Sequence, residues 1–369
     1  MELVTVLWEN RHYAVIVPVL SLLMLVHELG HFVTARLAGM TVEEFGFGFP
    51  PRLIGKQLGG VVYSLNWIPL GAFVRIRGED DPSEPGSFAS KGVFARFVVL
   101  VAGSAMNFLL AVVMFTSAFM AGWPTPTTVR VEVAAVQPGS PAEAAGLQPG
   151  DVILAVGDRR AATLDDVQRA TRSSAGQTVL FHIARNGQEL RVPVTLRSSW
   201  PAGAGPLGVQ LRGQVLELRP VSYPIHEALG KGVERALQLV GLTLAIPILL
   251  IQGAISAEAV RPIGIVGMAQ LAGQAASAVG ETGWWFPLLT LVAAFSAGLA
   301  VANLLPLPGL DGGRLLFLLI EAVRGRRIAP ERAELVHAIG IAILLALMGV
   351  LIISDIVSPA PAIDWGIRR

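Results

Sequence analysis

Two histidines and a glutamate share one turn of an apolar segment near the start of the chain. His27, Glu28 and His31 form the pattern H-E-x-x-H. In a helix, side chains four residues apart lie on the same face, so the two imidazoles can bind one Zn²⁺ ion. The carboxylate of Glu28 can then act as general base toward a zinc-activated water. A pair of packed core histidines is the alternative, and it is disfavoured because unpartnered titratable groups are costly in a membrane helix.

A catalytic zinc site needs a third protein ligand. The chain contains no cysteine, so this ligand is a histidine, an aspartate or a glutamate. Asp311 is the strongest candidate because it follows the helix breakers Pro306, Pro308 and Gly309. Such breaks occur within a membrane only where the backbone faces protein or a water-filled cavity. A simple helix-capping role for Asp311 stays open, and the other histidines are predicted to be structural or solvated: His12, His182, His226 and His337.

The elements that position these residues are predicted to be membrane helices. The chain has 369 residues, of which 53% are hydrophobic and 15% charged, and a membrane span needs about 20 apolar residues. Four stretches qualify, at residues 13–38, 93–121, 284–307 and 335–357. A fifth, 236–255, contains Pro247 and Gln252 and is predicted to be an amphipathic or interfacial helix. The first stretch is too long, and too rich in titratable residues, for a signal peptide.

A polar segment lies between the second and third predicted spans. Residues 127–212 contain short alternating strands and turn signals such as Arg185-Asn-Gly187. Thr163 and Asp166 are spaced to cap a helix over residues 164–170. We therefore predict one small inserted α+β domain, flanked by protease-core segments 1–121 and 284–369 and by a linker over 213–283.

The basic residues predict the orientation in the membrane. Residues 36–96 carry seven arginines and lysines, and the loop between the last two spans carries five. Short loops rich in these residues stay in the cytoplasm, so the termini, including Arg11, Arg368 and Arg369, and the inserted domain are expected outside. The formal net charge of +1 gives no indication of a nucleic-acid partner.

The whole arrangement resembles the site-2 protease family of intramembrane zinc metalloproteases. A membrane-embedded H-E-x-x-H, a soluble insert and a later Leu310-Asp-Gly-Gly313 follow in the same order. The similarity is greatest to the bacterial regulator-of-sigma-E type (peptidase M50-like) with one PDZ domain. The resemblance implies four transmembrane helices, with zinc bound by His27, His31 and Asp311 and catalysis by Glu28. It also implies a multi-pass protein of the bacterial inner membrane that performs regulated intramembrane proteolysis. Its substrates would be single-pass membrane proteins such as anti-sigma factors or signal-peptide remnants.

The same resemblance suggests residues that contact the substrate. Asn303 matches an asparagine that holds substrate backbone, and Asn107 ends a G-x-x-x-N element beginning at Gly103, where close helix packing is the alternative. Residues 60–78, with Gly71 at a turn, resemble a membrane-dipping β-hairpin whose free edge could pair with an extended substrate; a loop that merely covers the site is the alternative. The PDZ-like domain would bind a peptide or exclude bulky substrates.

Two other classes of function compete with the endopeptidase. A catalytically silent membrane scaffold would recruit partners through its PDZ domain, but it would not need Glu28. A transporter is less favoured because transporters typically contain repeated halves, and we find no such repeat in the sequence.

Overall fold

The computed structural model describes residues 11–78, 83–201, 205–256 and 260–366. They form two compact units. The first contains the described residues up to Gly122 together with Ser222–Trp365, and the second contains Trp123–Val221 and Gly366. Residues 1–10 of the predicted core, and Arg368 and Arg369, on which part of the orientation prediction depends, lie outside the described residues.

Helices dominate the first unit. A 3₁₀ turn over Arg11–Val15 leads into α1 (Ile16–Leu37), and α2 follows at Val93–Gly122. After the inserted unit come α5 (Ile225–Ile251), α6 (Ile265–Thr282), α7 (Phe286–Leu304), α8 (Asp311–Arg324) and α9 (Pro330–Val357). The four predicted spans correspond to α1, α2, α7 and α9. The third prediction extends too far, because α7 ends before Pro306, which cannot continue the hydrogen-bonded ladder.

Within the described residues, five helices are long and apolar enough to cross a membrane: His12–Leu37, Val93–Gly122, Ile225–Ile251, Phe286–Leu304 and Glu331–Val357. The chain is therefore a multi-pass membrane protein, and the prediction of four spans is not confirmed. The additional helix is α5, which the sequence placed at residues 236–255. It begins eleven residues earlier because its first three turns are polar but contain good helix formers, and Pro224 precedes them.

The segment from α5 to α6 begins and ends at the same end of α2. Tyr223 donates its backbone N–H to Phe119 O over 3.1 Å, and Trp284 donates Nε1–H to Gly122 O over 2.9 Å. Helix α6 lies where the sequence predicted only a linker. Its Gly267 N–H donates to Asp355 Oδ2, near the end of α9, over 2.8 Å.

The region predicted as a hairpin is a larger antiparallel sheet made from β1 (Val42–Leu58) and β2 (Val61–Ile76). The first half of β1 pairs on both sides, because Phe45 lies opposite both Val74 and Tyr63. The second half pairs with the start of β2. The prediction of a hairpin over residues 60–78 that turns at Gly71 is wrong, because the two parts of β2 pair with β1 and not with each other. Gly71, at φ +79°, bends β2 instead, and the alternating pattern of β1 was missed because prolines and glycines interrupt it. Residues 72–76 thus form an edge of this sheet.

The second unit is an antiparallel sheet with two helices. Its strands are β3 (Trp123–Val136), β4 (Val152–Val156), β5 (Arg159–Arg160), β6 (Thr178–Arg185), β7 (Gln188–Thr195) and β8 (Val209–Val221). They run in the order β7-β6-β4-β3-β8, with β5 on β4. Helix α3 spans Pro141–Ala144, and α4 spans Leu164–Ser173 with the predicted capping box of Thr163 and Asp166. The unit extends beyond the predicted 127–212 because β3 and β8 pair as far as Trp123 and Val221.

Candidate metal centre

Three predicted ligand side chains converge between α1 and the start of α8. Asp311 Oδ2 lies 3.0 Å from His27 Nε2 and 3.2 Å from His31 Nε2, and the two Nε2 atoms are 3.1 Å apart. Both histidines are buried, and Asp311 is largely buried. Among the described residues, these three form the group of histidines and acids that could hold a metal ion. Residues 280 positions apart in sequence are thus brought to one point.

Glycine contacts allow α2 to approach the histidines closely. A Cβ at Gly103 would lie 2.5 Å from His31 Nε2 and 2.6 Å from His27 Cε1. In the same interface, Gly30, the residue before His31, packs directly on the backbone carbonyl of Ala102, the residue before Gly103. The two imidazoles therefore pack against the backbone of α2 at Gly103, where there is no space for a side chain.

The contacts of the Nδ1 atoms, which face away from Asp311, determine the tautomers of the two histidines. His31 Nδ1 lies 2.8 Å from Val99 O. A carbonyl oxygen only accepts, so Nδ1 carries the proton and Nε2 keeps its lone pair. The convergence of two imidazole nitrogens and one carboxylate oxygen fits a Zn²⁺ ion, whose preferred ligands include these groups.

Asn107 supplies a further test of that fit. Its Nδ2 lies 3.3 Å from His27 Nδ1, while its fully buried Oδ1 has no partner among the described residues. Turning the amide by 180° pairs this oxygen with Nδ1–H of His27 and satisfies the orphaned atom. A histidine that binds a metal through Nε2 requires this tautomer, so the donor set fits zinc.

Helix α8 presents Asp311 in its first turn and is tied to α2. Arg96 donates to both carboxylate oxygens of Glu321, over 2.9 Å and 2.6 Å. Both side chains are mostly buried, and planar bidentate pairs of this kind are among the strongest polar contacts. This ion pair holds the helix that carries Asp311 against the helix that carries Gly103, a contact that the sequence did not predict.

Glu28 lies beside the three residues and contacts the edge of the sheet. Its Oε2 accepts the Val74 N–H over 3.1 Å. Glu28, His31 and Asp311 line a cavity of about 220 Å³ together with Phe73 and Val74. The carboxylate of Glu28, the candidate metal site and the edge of the sheet therefore share one cavity.

The other predicted site residues lie at different distances from this group. Asn303 Nδ2 is 3.5 Å from His27 Nδ1, so both predicted asparagines lie beside His27. Gly71 lies in the sheet, where an added Cβ would be 2.8 Å from Met24 Sδ. Their substrate-binding roles stay predictions. Sequence reasoning missed Val74, because a backbone N–H leaves no signature in residue type.

Comparison with known proteins supports the same chemistry. The family described as Peptidase family M50 matches residues 15–347. The chain is 32% identical over 347 residues to a Clostridium perfringens protein assigned as a zinc metalloprotease, with 92% of this chain and 96% of the relative covered. A Brucella suis protein with the same assignment is 31% identical over 374 residues, covering 94% of this chain and 96% of the relative. A Nostoc protein, also assigned so, is 31% identical over 363 residues, covering 95% and 97%.

The family match extends over the helices that hold His27, His31 and Asp311, and the relatives align over nearly their full lengths. The chain therefore belongs to peptidase family M50 and is a membrane metalloendopeptidase whose cofactor is zinc.

Proposed function

We propose that the chain cleaves the transmembrane segments of single-pass membrane proteins within the bilayer, with His27, His31 and Asp311 as the zinc ligands and Glu28 as the general base. The observation that carries this proposal is the convergence of the three ligand atoms within 3.0 to 3.2 Å of one another. Regulated proteolysis of anti-sigma factors, or clearance of signal-peptide remnants, would be the biological context.

The proposed chemistry divides between the ion and the chain. When bound, zinc supplies a Lewis acid that polarises the scissile carbonyl and acidifies a water molecule. Glu28 removes the proton from the attacking water and returns it to the leaving amine. The Val74 N–H fixes Oε2 of this carboxylate, which leaves Oε1 to take up the proton. The buried Asn107 amide orients His27, and Asn303 is proposed to hold the substrate backbone.

The substrate has to be extended before cleavage, because a helix hides its carbonyls inside its own hydrogen-bond ladder. We infer that an unwound segment pairs with the edge of β2 at residues 72–76, next to Gly71. Strand addition to an exposed edge reads the backbone rather than the side chains. Val74 supports the location of this strand, since its hydrogen bond to Glu28 places the edge beside the proposed general base. Helix-destabilising residues in a substrate should therefore raise its rate of cleavage.

The inserted unit is proposed to be a PDZ domain outside the bacterial inner membrane. A cavity of about 220 Å³ lies between α4 and the start of β8, lined by Val167, Gln168 and Thr171 of α4. An extended peptide could add to the sheet there. Gln168→Trp should fill this groove and abolish peptide binding, while cleavage of a substrate with no extracytoplasmic domain should be unchanged. Unchanged peptide binding by Gln168→Trp would count against this groove.

The decisive experiment compares Glu28→Gln with the wild-type protein in liposomes that contain a single-span reporter. The variant should bind one equivalent of zinc and lose cleavage by at least ~10²-fold, because general base catalysis contributes about that much. Glu189→Gln, an exposed change in β7, is the matched control and should keep full activity. Continued cleavage by Glu28→Gln would disprove the assignment of Glu28 as the general base. Absence of cleavage by the wild-type protein would instead favour a scaffold, for which Glu28 has no function.

A further inference from the structure

A hydrogen bond joins α9 to the turn that precedes Asp311. His337 Nδ1 accepts the backbone N–H of Gly309 over 2.9 Å. We propose that His337 is a positioning residue, which sets the place of Asp311 by holding this turn. The inference rests on the proposed function only in that Asp311 binds zinc.

The turn, residues 305–310, is enclosed on two sides. On the inner side, Gly312 and Gly313 at the start of α8 pack against the backbone carbonyls of Leu305 and Leu307. On the outer side, Gly340 of α9 packs directly against the carbonyl of Pro308. These contacts leave no space for a side chain, so a movement of α9 at this point moves the turn.

Helix α9 makes few other buried contacts. Among its described side chains, the buried positions are Gly340, at the turn, and Asp355, near the opposite end of the helix at α6. Residues 331–339, 341–354, 356 and 357 of the helix are partly or fully exposed. The contact of α9 with the turn is therefore local, and it is made where the chain leads into Asp311 two residues later.

The N–H of Gly309 requires a hydrogen-bond acceptor at the position of His337 Nδ1. Gly309 has φ +95°, and its N–H points toward α9. Because Nδ1 of His337 accepts this hydrogen, the imidazole is the neutral tautomer with its proton on Nε2. The ring also meets Phe317 of α8 edge to face, with centroids 5.2 Å apart. One side chain thus contacts both the turn and the helix that follows it.

Two amide substitutions separate the acceptor from the ring. His337→Asn places an amide oxygen two bonds from Cβ, as Nδ1 is, whereas His337→Gln places it one bond farther away. Both variants lose the ring contact with Phe317, so their difference reports the hydrogen bond alone. The measurement is zinc affinity of the purified full-length protein in detergent, by competition with a chromogenic chelator.

His337→Gln should bind zinc about 10-fold more weakly than the wild type, a typical effect of losing a group that orients a ligand, and His337→Asn should stay within about threefold. At saturating zinc, the kcat of His337→Gln should be closer to the wild-type value than its zinc affinity is. Equal zinc affinities of the two variants would overturn the proposal. Absence of zinc binding by the wild-type protein would instead overturn the proposed function.

A second pair tests the same contact with His337 intact. Gly340→Ala introduces a Cβ against Pro308 and should displace the turn, lowering zinc affinity about 10-fold. Gly349→Ala, in the same helix, meets nothing within 4 Å and serves as the control. If these two variants bind zinc equally well, α9 does not position Asp311.

Discussion

The backbone N–H of Val74 donates a hydrogen bond to Oε2 of Glu28 over 3.1 Å. An edge strand and the proposed general base are therefore in direct contact. The bend that brings the strand there is made at Gly71, whose φ of +79° favours glycine. The positions of the carboxylate and of an incoming substrate strand thus depend on one turn of β2.

Substitution of Gly71 by alanine should impair cleavage without removing zinc. The added Cβ would lie 2.8 Å from Met24 Sδ and 3.1 Å from Phe49 Cε2, which forces the strand away from α1. Displacements of this size can reduce kcat/KM about 10- to 100-fold. Reporter cleavage in liposomes and zinc content measure the two effects separately.

Gly60→Ala is the control for this prediction. Gly60 has nearly the same backbone conformation, φ +82°, but nothing lies within 4 Å of its added Cβ. Both variants carry the same strain at positive φ, so only the clash distinguishes them. Equal activities for the two variants would show that the position of the β2 edge does not control cleavage.

Gly103→Ala should remove zinc together with activity. Its Cβ would overlap His31 Nε2 and His27 Cε1, at 2.5 Å and 2.6 Å, and both imidazoles would have to move from Asp311. Zinc content after washing with a chelator, and reporter cleavage, should both fall by at least ~10-fold, because ligand geometry sets metal affinity. Restoring zinc to the washed wild-type protein should restore its activity.

Gly298→Ala is the matched helix change, because Gly298 lies inside α7 with nothing within 4 Å of the added Cβ. It should retain zinc and activity. A Gly103→Ala protein that keeps its zinc would mean that the close approach of α2 is not required by the site.

Local chemistry could be predicted from the sequence, because it depends on residue type and short spacing. His27 and His31 share a helix face whatever surrounds them, and the Thr163–Asp166 capping box is confirmed with both hydrogen bonds present. The Asn186-Gly187 turn is also confirmed, with φ of +51° and +80°. Asp311 was predicted as the third ligand because prolines before it break a helix at membrane depth, and the structure places it beside both histidines.

Long-range packing could not be predicted in the same way. The N–H of Val74, the Arg96–Glu321 pair and the His337–Gly309 contact depend on which helices and strands become neighbours, and no residue pattern encodes that. The pairing of β1 with β2 was missed because its register follows from a bend at Gly71. Helix α5 was placed too late because its polar first turns, around Glu227 and Lys231, carry no apolar signal.

The second unit contains an ion pair with a buried carboxylate, formed by Asp151 and Arg185, that should make the stability of the unit depend on pH. Burial by itself raises the pKa of Asp151. Hydrogen bonds from Arg185 and from the Gln148 N–H lower it, and together they outweigh burial, so the pKa lies below its usual range. A depressed carboxyl pKa stabilises the fold above the unfolded value of about 3.9. This stabilisation is lost as the pH falls through the folded pKa.

Asp151→Asn should therefore destabilise this unit at pH 7 by about 2 kcal/mol, the typical contribution of hydrogen bonds to a charged group. The difference from wild type should shrink below about pH 4. Hydrogen exchange of the β6 amides in the intact protein, corrected for intrinsic rates, measures it. Asp165→Asn removes a carboxylate that is 70% exposed and should change nothing. Equal protection of wild type and Asp151→Asn at pH 7 would contradict the prediction.

The absence of cysteine allows the orientation of the chain to be tested with single introduced thiols. Gln188 in the inserted unit and Arg326 in the loop between α8 and α9 are both exposed. If basic short loops stay in the cytoplasm, Gln188→Cys should react with a membrane-impermeant maleimide on intact cells. Arg326→Cys should react only after permeabilisation. The opposite pattern would reverse the proposed orientation.

Gln252→Cys, immediately after α5, tests the helix that the sequence placed at the interface. The segment from Tyr223 to Trp284 starts and ends at the same end of α2, so a single crossing by α5 would need a second crossing before Trp284. Within that segment, α5 is the described helix that is long and apolar enough to span. We therefore expect Gln252→Cys to be labelled on intact cells, like Gln188→Cys. Labelling only after permeabilisation would mean that α5 crosses the bilayer and that the chain returns through it before Trp284.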